Sequence, residues 1–172
     1  MKSLRLITVD DEPLALRRLK LIIANLPNVE LVGEAGGCTE GLDLIRRLKP
    51  DVVLLDIRMR DGTGFDLLDS LADAEMPQII FVTAFDAYAV KAFTSAAVDY
   101  VLKPVEYERL RLALSRAAAK LRSETAAIEI QELKAIIGSL REGSEDQSAP
   151  RFETEFWIRR STGGFTRVLI DS

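Results

Sequence analysis

The sequence predicts an α/β fold: a doubly wound, five-stranded parallel sheet with an extended C-terminal helix and a short β-hairpin. Three observations support this prediction. Short apolar runs alternate with helical patterns up to about residue 105, the helical pattern then continues without a break, and a final stretch alternates again. Continuous apolar runs suit strands that are covered on both faces of a parallel sheet. The runs lie at residues 4–9, 52–55, 79–82 and 100–102.

Helical patterns separate these runs. They lie near residues 14–26, 39–48, 65–73 and 87–95, and a further one starts at Glu106. The first has Pro13 in its opening turn and stops at Pro27, which are positions where a helix accepts proline. Five βα units with short connections imply right-handed crossovers. The flavodoxin-like strand order 2-1-3-4-5 would then place strands 1, 3, 4 and 5 side by side.

Polar side chains stand where four of these strands end. In an open parallel sheet, ligands bind outside the carboxyl ends of the strands, so we expect these side chains to meet at one rim. A single aspartate at a strand end is usually a turn former or a helix cap, but five polar residues at four strand ends are hard to explain in that way. They are Asp10, Asp11, Asp56, Thr83 and Lys103.

The residue types at this rim suit phosphoryl chemistry. Asp10 and Asp11, with Asp56 opposite, supply the carboxylates that Mg²⁺ prefers, and water and phosphate oxygens complete its shell. Without a cation the three carboxylates would repel one another, and at least one would take up a proton. A carboxylate can attack phosphorus to give an aspartyl phosphate. Lys103 and the Thr83 hydroxyl are placed to contact other phosphate oxygens.

The composition narrows the classes of function. With a formal net charge of -4, the chain as a whole is not a basic nucleic-acid binder. It contains no histidine, so any phosphoryl donor must come from outside. The single cysteine, Cys38, excludes an internal disulfide and fits a cytoplasmic location. No apolar run approaches the roughly 18 residues of a membrane span and no signal peptide precedes the first strand, so we expect no membrane association.

The helical pattern after Glu106 is longer than one domain needs. Its apolar residues alternate at spacings of four and three, which is typical of a coiled-coil seam, although the sequence does not say whether such a seam pairs parallel or antiparallel. Two ordinary helices joined near Ser123 are the alternative, because only about two heptads support the seam. The seam consists of Ala126, Ile130, Leu133, Ile137 and Leu140.

These patterns divide the chain into four parts. Residues 1–120 form the α/β domain, and residues 121–142 form a helical linker that can pair as a coiled coil. Residues 143–150 are a polar linker. Residues 151–172 read as the first strands of an incomplete β-rich domain, beginning with a hairpin.

Four segments at the strand ends resemble the receiver domain of two-component response regulators. They are VDDEP at residues 9–13, LLDIRM at 54–59, VTAF at 82–85 and DYVLKP at 99–104. The resemblance covers about residues 1–120. It implies that Asp56 is the phosphoacceptor, that Asp11 binds Mg²⁺ directly, and that Asp10 acts through water.

The same resemblance assigns roles to other residues. The backbone carbonyl of Arg58 would complete the metal ligands, and Thr83 and Lys103 would contact the phosphoryl group. Tyr100 would be an aromatic switch that turns inward with Thr83. Neither Arg58 nor Phe85 is a small polar residue that would orient a hydrolytic water, so we expect the phosphoryl group to be lost slowly.

Part of the chain departs from the family pattern. Arg60 and Asp61 stand where related proteins usually have proline and glycine, and Thr63 stands where aspartate is common. We therefore expect the loop after the third strand to be more mobile or more charged than in those relatives.

A finer resemblance points to LytTR-type (LytR/AlgR-like) transcription regulators. It rests on AFDAYAVKAF at residues 84–93 and on residues 157–171, which resemble the first strand pair of their DNA-binding output domain. It implies a transcription regulator with a sensor histidine kinase as phosphodonor, DNA as the partner of an output domain missing from this chain, and a homodimer on phosphorylation. We expect Lys91, Asp99 and Arg111 to pair across the two-fold axis of that dimer.

Two other functions fit the same residues. One is a phospho-dependent protein-interaction module without DNA binding. The other is an aspartate-nucleophile phosphatase, which typically needs a second aspartate two positions beyond the nucleophile, where this chain has Arg58. We therefore expect no enzyme activity beyond self-catalysed phosphoryl transfer.

Overall fold

The structure of the protein is a computed structural model that describes residues 3–72, 76–85, 97–142, 155–159 and 165–169. The chain forms two compact units, Met1–Leu121 and Arg122–Ser172. In chain order the strands are β1 (Leu4–Val9), β2 (Val29–Ala35), β3 (Val52–Leu55), β4 (Arg58–Met59), β5 (Gly62–Thr63), β6 (Gln78–Thr83), β7 (Asp99–Leu102), β8 (Glu155–Arg159) and β9 (Phe165–Leu169). The described helices are α1 (Pro13–Ile23), α2 (Cys38–Leu48), α3 (Gly64–Asp69) and α4 (Tyr107–Glu142).

The first unit is built on a five-stranded parallel sheet with the order β2-β1-β3-β6-β7. Because β6 and β7 are the fourth and fifth strands of this sheet, the predicted order 2-1-3-4-5 is confirmed. The short strands β4 and β5 pair antiparallel in the loop between β3 and α3. The four strands that carry the polar residues are therefore neighbours, and their carboxyl ends share one edge.

The core lies on both faces of the sheet, which explains why the strand sequences are apolar throughout. In β3, Val53 and Leu55 pack in a cluster with side chains of α2 and α3. The alternate residues, Val52 and Leu54, pack on the opposite face with α1 and the first turns of α4. Each such buried side chain contributes about 1.5–3 kcal/mol, so this burial fixes the strand register that positions the rim.

The predicted helices are present with shifted ends wherever the structure describes them. The pattern at 14–26 forms α1, which ends at Ile23. The pattern at 65–73 ends at Asp69, because the N–H of Leu71 bonds to the carbonyl of Leu68 in a tighter i→i−3 turn. The pattern at 87–95 lies outside the described residues. The helix expected from Glu106 runs from Tyr107 to Glu142 without a break, so the alternative of two helices joined near Ser123 is wrong.

The second unit contains the predicted hairpin. Strands β8 and β9 pair antiparallel, with Glu155 opposite Leu169 and Arg159 opposite Phe165. The turn between them, residues 160–164, lies outside the described residues, as does the predicted polar linker at 143–150.

The expectation that Asp99 pairs across a two-fold axis is wrong. Asp99 is 2% exposed, and both of its carboxylate oxygens bind partners in its own chain. Arg109 donates to them at 2.5 and 3.0 Å, and Arg116 donates at 2.8 Å. Arg111 instead pairs with Glu108 at 2.8 Å. Lys91 lies outside the described residues.

The Asp99 cluster joins β7 to α4. Burial alone would raise the pKa of Asp99, but hydrogen bonds from Arg109, the Tyr100 N–H and Arg116 outweigh burial and hold this pKa below its ordinary value. The stability that the cluster contributes is therefore present above the pKa of the carboxyl in the unfolded chain, and it is lost as the pH falls through the lower folded pKa.

Replacing Asp99 by Asn keeps the size of the side chain and removes its charge. We expect Asp99→Asn to lower the free energy of unfolding at pH 7 by about 1–2 kcal/mol, less than for a fully buried pair because both arginines reach solvent. Urea unfolding from pH 7 to pH 3 measures this loss, which should shrink as the pH falls below about 4, the ordinary carboxyl value. Asp43→Asn, at an exposed position, is the control. A loss that stays constant with pH would show that charge is not its cause.

Candidate functional site

The predicted polar residues meet at the carboxyl edge of the sheet. Asp10 and Asp56 follow β1 and β3 directly, Thr83 is the last residue of β6, and Lys103 follows β7. One carboxylate oxygen from each of Asp10, Asp11 and Asp56 lies within 4.8 Å of the other two. The sheet therefore gathers an acidic cluster from two strands and places beside it a lysine from a third.

The ammonium of Lys103 lies between the carboxylates. Its Nζ is 2.8 Å from Asp10 Oδ2, 2.9 Å from Asp56 Oδ2 and 3.2 Å from Glu12 Oε1, and its side chain is 14% exposed. Burial alone would lower the pKa of Lys103, but the hydrogen bonding of its ammonium to the carboxylates of Asp10 and Asp56, and their negative charge, raise it above its ordinary value. The group therefore stays protonated and acts as a counter-ion built into the chain.

Asp10 is the most deeply buried of the three carboxylates, at 1% exposure. Its burial raises the pKa of its carboxyl, and the bonds from Lys103 and from the N–H of Glu12 oppose that rise. The Glu12 N–H donates to Asp10 Oδ1 at 2.9 Å. Asp10 therefore has a hydrogen-bond donor on Oδ1 and an ion-pair partner, Lys103, near Oδ2, and the described residues supply no well-aligned hydrogen-bond donor to Oδ2. A metal-bound water could donate to this oxygen.

Backbone hydrogen bonds and the close approach of Gly64 fix the position of Asp56. The Ile57 N–H donates to Asp56 Oδ1 at 2.6 Å, and the Asp56 N–H donates to the carbonyl of Val9 at 2.9 Å. A Cβ at Gly64 would lie only 2.5 Å from the Asp56 carbonyl oxygen, so only glycine allows α3 to begin this close to the rim. These contacts fix the direction in which the carboxylate points.

The loop between β3 and α3 contacts the rim through Arg60. The Arg60 N–H donates to Asp11 Oδ2 at 3.0 Å, and its Nε donates to the same oxygen at 3.2 Å. A proline at this position would have no N–H to donate. The sequence did not reveal this pair, because its two residues lie 49 positions apart and only the folded loop brings them together.

The other two residues that depart from the family pattern also have defined partners. Asp61 accepts hydrogen bonds from the N–H groups of Cys38 and Thr39 at 2.9 and 3.1 Å, and these bonds lower the pKa of its carboxyl. Thr63 caps α3 through reciprocal bonds with Asp66. In this loop the charge of Arg60 is paired with Asp11 at the rim, and the charge of Asp61 is paired with N–H groups of α2.

Thr83 supplies a buried hydroxyl. It is fully buried, and its Oγ1 has no hydrogen-bond partner in the part of the chain that the structure describes. A buried hydroxyl without a partner costs about 1–3 kcal/mol, so such a group calls for an explanation. An incoming phosphate oxygen would accept this bond, which fits the role predicted for Thr83.

Tyr100 and Phe85 lie next to each other at the edge of the rim. Tyr100 is 8% exposed, and its hydroxyl donates to the carbonyl of Phe85. Tyr100 is therefore buried beside Phe85, and its role as an aromatic switch that turns inward with Thr83 stays a prediction. The guanidinium carbon of Arg58 lies 5.0 Å from the centroid of the Phe85 ring, in a cation–π contact that the sequence did not predict.

At the carboxyl end of the parallel sheet, three carboxylates thus lie beside a partly buried lysine and a buried threonine. The profile of the response regulator receiver domain matches residues 6–115. The chain belongs to this family. As a receiver domain it is part of a two-component response regulator, and its α/β fold is that of the family.

Named relatives agree with this assignment. The transcriptional regulatory protein BtsR of Escherichia coli K12 is 41% identical over 113 residues, which cover 66% of this chain and 47% of that protein. An uncharacterized response regulatory protein of Vibrio cholerae is 45% identical over 108 residues, which cover 63% of this chain and 46% of that protein. The chain thus spans about half the length of the curated relatives it matches, and the comparisons do not single out the LytTR type.

Solved receiver domains have the same fold. The receiver domain of the putative response regulator NarL from Mycobacterium tuberculosis superposes with a TM-score of 0.63 at 28% identity, covering 69% of this chain and 98% of that one. The response regulatory domain of mrkE from Klebsiella pneumoniae gives 0.61 at 30% identity, covering 69% and 98%. Among the residues that the structure describes, no helix is long and apolar enough to cross a membrane.

The Arg60–Asp11 contact predicts a competition with metal. Arg60→Ala removes the guanidinium and keeps the N–H, so we expect it to raise the affinity of the rim for Mg²⁺ by about 2- to 5-fold, the range for an exposed ion pair. Arg60→Pro removes both donors and should raise it further. Calorimetry at low salt measures the affinity, and the gain should shrink at high salt.

Arg47→Ala is the matched control, since it removes one exposed positive charge from α2 and tests the effect of net charge alone. An equal gain in Arg47→Ala and Arg60→Ala would mean that the contact with Asp11 plays no part.

Proposed function

We propose that the protein is a phosphorylation-dependent response regulator that accepts a phosphoryl group on Asp56 with Mg²⁺ and switches its dimerisation to control an attached DNA-binding output domain. The observation that carries this proposal is the meeting of three carboxylates, a partly buried ammonium and a buried hydroxyl without a hydrogen-bond partner among the described residues at one rim. Among the described residues, no other group of three or more carboxylates lies close enough together to hold a metal ion. We propose no enzyme activity beyond self-catalysed phosphoryl transfer.

Each group at the rim has a separate role in the proposed phosphoryl transfer. One carboxylate oxygen of Asp56 forms the bond to phosphorus, while the phosphorus–nitrogen bond of a phosphohistidine breaks and its electron pair goes to the imidazole. The Ile57 N–H keeps the other oxygen in place. Lys103 and Thr83 then bind oxygens of the transferred group, which replace the present partners of the ammonium and satisfy the hydroxyl.

The acidic residues fit the metal that this chemistry needs. Asp11, Asp56 and the backbone carbonyl of Arg58 would hold Mg²⁺, with Asp10 bound through water, because hard cations take oxygen ligands and keep several waters. A bound Mg²⁺ neutralises negative charge on the transferred group.

The phosphodonor is proposed to be a sensor histidine kinase, because the chain has no histidine of its own. A surface beside the rim supports docking of such a donor. Leu14, at the start of α1, is 77% exposed and borders an apolar depression that also includes Glu12, Pro104 and Val105. A donor seated there would lie next to Lys103, which also lines the depression.

The switch is proposed to pass from Thr83 through Tyr100 to α4. A dianionic phosphoryl group on Asp56 would draw the Thr83 hydroxyl towards it, and Tyr100 on the neighbouring strand would fill the space that Thr83 leaves. Arg109 of α4 donates to the carbonyl of Tyr100 at 2.5 Å, so a shift of β7 reaches this helix directly. The helix continues into the seam, which would extend a dimer of phosphorylated chains.

Slow loss of the phosphoryl group is also part of the proposal. The cation–π contact between Arg58 and Phe85 holds the two side chains beside the rim, and neither has the small polar group that orients a hydrolytic water. The same arrangement argues against the phosphatase alternative, because Arg58 occupies the position of the second catalytic aspartate.

The output is proposed to be DNA binding in the cytoplasm, in a regulator of the LytTR type. Two observations support this: relatives in Escherichia coli and Salmonella are named transcriptional regulatory proteins, and β8 and β9 form the hairpin expected at the start of a β-rich domain. A protein-interaction module without DNA binding is the alternative.

Incubation with acetyl phosphate and Mg²⁺ tests the phosphoacceptor. We expect intact-mass analysis to show one added phosphoryl group on the wild-type chain and none on Asp56→Asn, because the amide is not a nucleophile. Asp43→Asn, which changes an exposed carboxylate away from the rim, should be labelled like the wild type. Undiminished labelling of Asp56→Asn would contradict the proposed function.

A further inference from the structure

Residues 122–135 of α4 present apolar side chains to solvent. All described side chains from residue 122 to residue 135 are exposed, including Ile130 at 55% and Leu133 at 61%. These two residues belong to the seam that begins at Ala126, and the helix continues through the positions of Ile137 and Leu140. A repeat of this kind on one helix is complementary to the same repeat on another helix.

We propose that the seam pairs, parallel and in register, with the seam of a second copy of this chain. This inference rests on the proposed phosphorylation-dependent dimer and adds the direction of pairing. Spacings of four and three place Ile130 and Ile137 at heptad position a and Leu133 and Leu140 at position d. Among parallel coiled coils, isoleucine at a with leucine at d favours two strands over three or four, so a parallel assembly of this seam would be a dimer.

The charges beside the seam favour the same direction. Glu129 occupies position g and Lys134 occupies the following position e. In a parallel pair, position g of one helix faces position e of the next heptad on the other, so Glu129 of each copy faces Lys134 of the second copy. In an antiparallel pair centred on the apolar positions, e faces e and Lys134 meets Lys134, which is repulsive. In these registers the parallel direction brings Glu129 and Lys134 together, and the antiparallel direction brings two lysines together, so the charges favour the parallel pair.

The direction in which the two helices pair determines where the segments after Glu142 begin. In a parallel pair the two Glu142 residues lie at the same end, so the segments that follow them start next to each other. An antiparallel pair would separate them by the length of the seam. Two heptads alone are marginal in water, so the pair should depend on additional contacts made by the phosphorylated receiver domains.

Disulfide cross-linking of the full chain tests the direction of pairing. In a Cys38→Ala background, Ile130→Cys should form a covalent dimer with itself under mild oxidation in the presence of beryllium fluoride and Mg²⁺, a mimic of the phosphorylated state. Ile128→Cys is the matched control: Ile128 is also exposed, at 58%, but lies about 200° around the helix from Ile130. It should cross-link at least about 10-fold less, because it lies off the seam.

A mixture of Ile130→Cys and Leu140→Cys chains distinguishes the antiparallel pair, in which these two positions face each other. A mixed dimer without self-linking of Ile130→Cys would overturn the proposal. So would equal cross-linking at Ile128 and Ile130, or no cross-linking at either position.

Charge exchange supplies a second measurement that needs no cysteine. Glu129→Lys and Lys134→Glu should each weaken the dimer about 3- to 10-fold, and the double exchange should restore it, because two symmetry-related ion pairs change sign together. Light scattering with beryllium fluoride and Mg²⁺ measures the dimer. Failure of the double exchange to restore it would contradict parallel pairing.

Labelling of Asp56 by acetyl phosphate is followed in the same variants. If the wild type is not labelled, the proposed function fails. If labelling is normal but the cross-links show antiparallel pairing or no pairing, only this inference fails.

Discussion

The ammonium of Lys103 between Asp10 and Asp56 is the interaction on which the rim depends. Three carboxylates within 4.8 Å would repel one another, and Lys103 at 2.8 and 2.9 Å from two of them provides the opposing charge. The backbone places this lysine, since its N–H bonds to the carbonyl of Thr83 at the end of the neighbouring strand. The sheet thus folds with its counter-ion in place, and the same ammonium is available to a phosphoryl group.

The third carboxylate depends on a different cation. Asp11 pairs with Arg60, whose side chain is 83% exposed, so this contact is much more open to solvent than the one made by Lys103. A partly buried lysine beside Asp10 and Asp56 and an exposed arginine beside Asp11 give the rim two counter-ions of unequal strength. We infer that a metal would displace the exposed arginine more easily than the lysine.

Sequence patterns predicted the parts of the site that follow from local structure. The apolar runs of β1, β3, β6 and β7 placed their terminal residues correctly, because strand order and a shared carboxyl edge follow from the fold class. The pairing of Asp99 was mispredicted, since Arg109 and Arg116 reach it only after α4 has packed on the sheet. The contact of Arg60 with Asp11 was missed for a similar reason: it requires the loop of β4 and β5 to fold back over the rim.

The dependence of unfolding on Mg²⁺, compared between wild type and Lys103→Met, tests the role of this ammonium most directly. The variant should be less stable without Mg²⁺, because its carboxylates lose their counter-ion. It should also gain more stability on adding Mg²⁺, because the lysine charge no longer opposes binding of the cation to the folded state. Lys20→Met, which removes an exposed ion pair elsewhere, should match the wild type in its response to Mg²⁺. Equal gains in Lys103→Met and wild type would contradict the account.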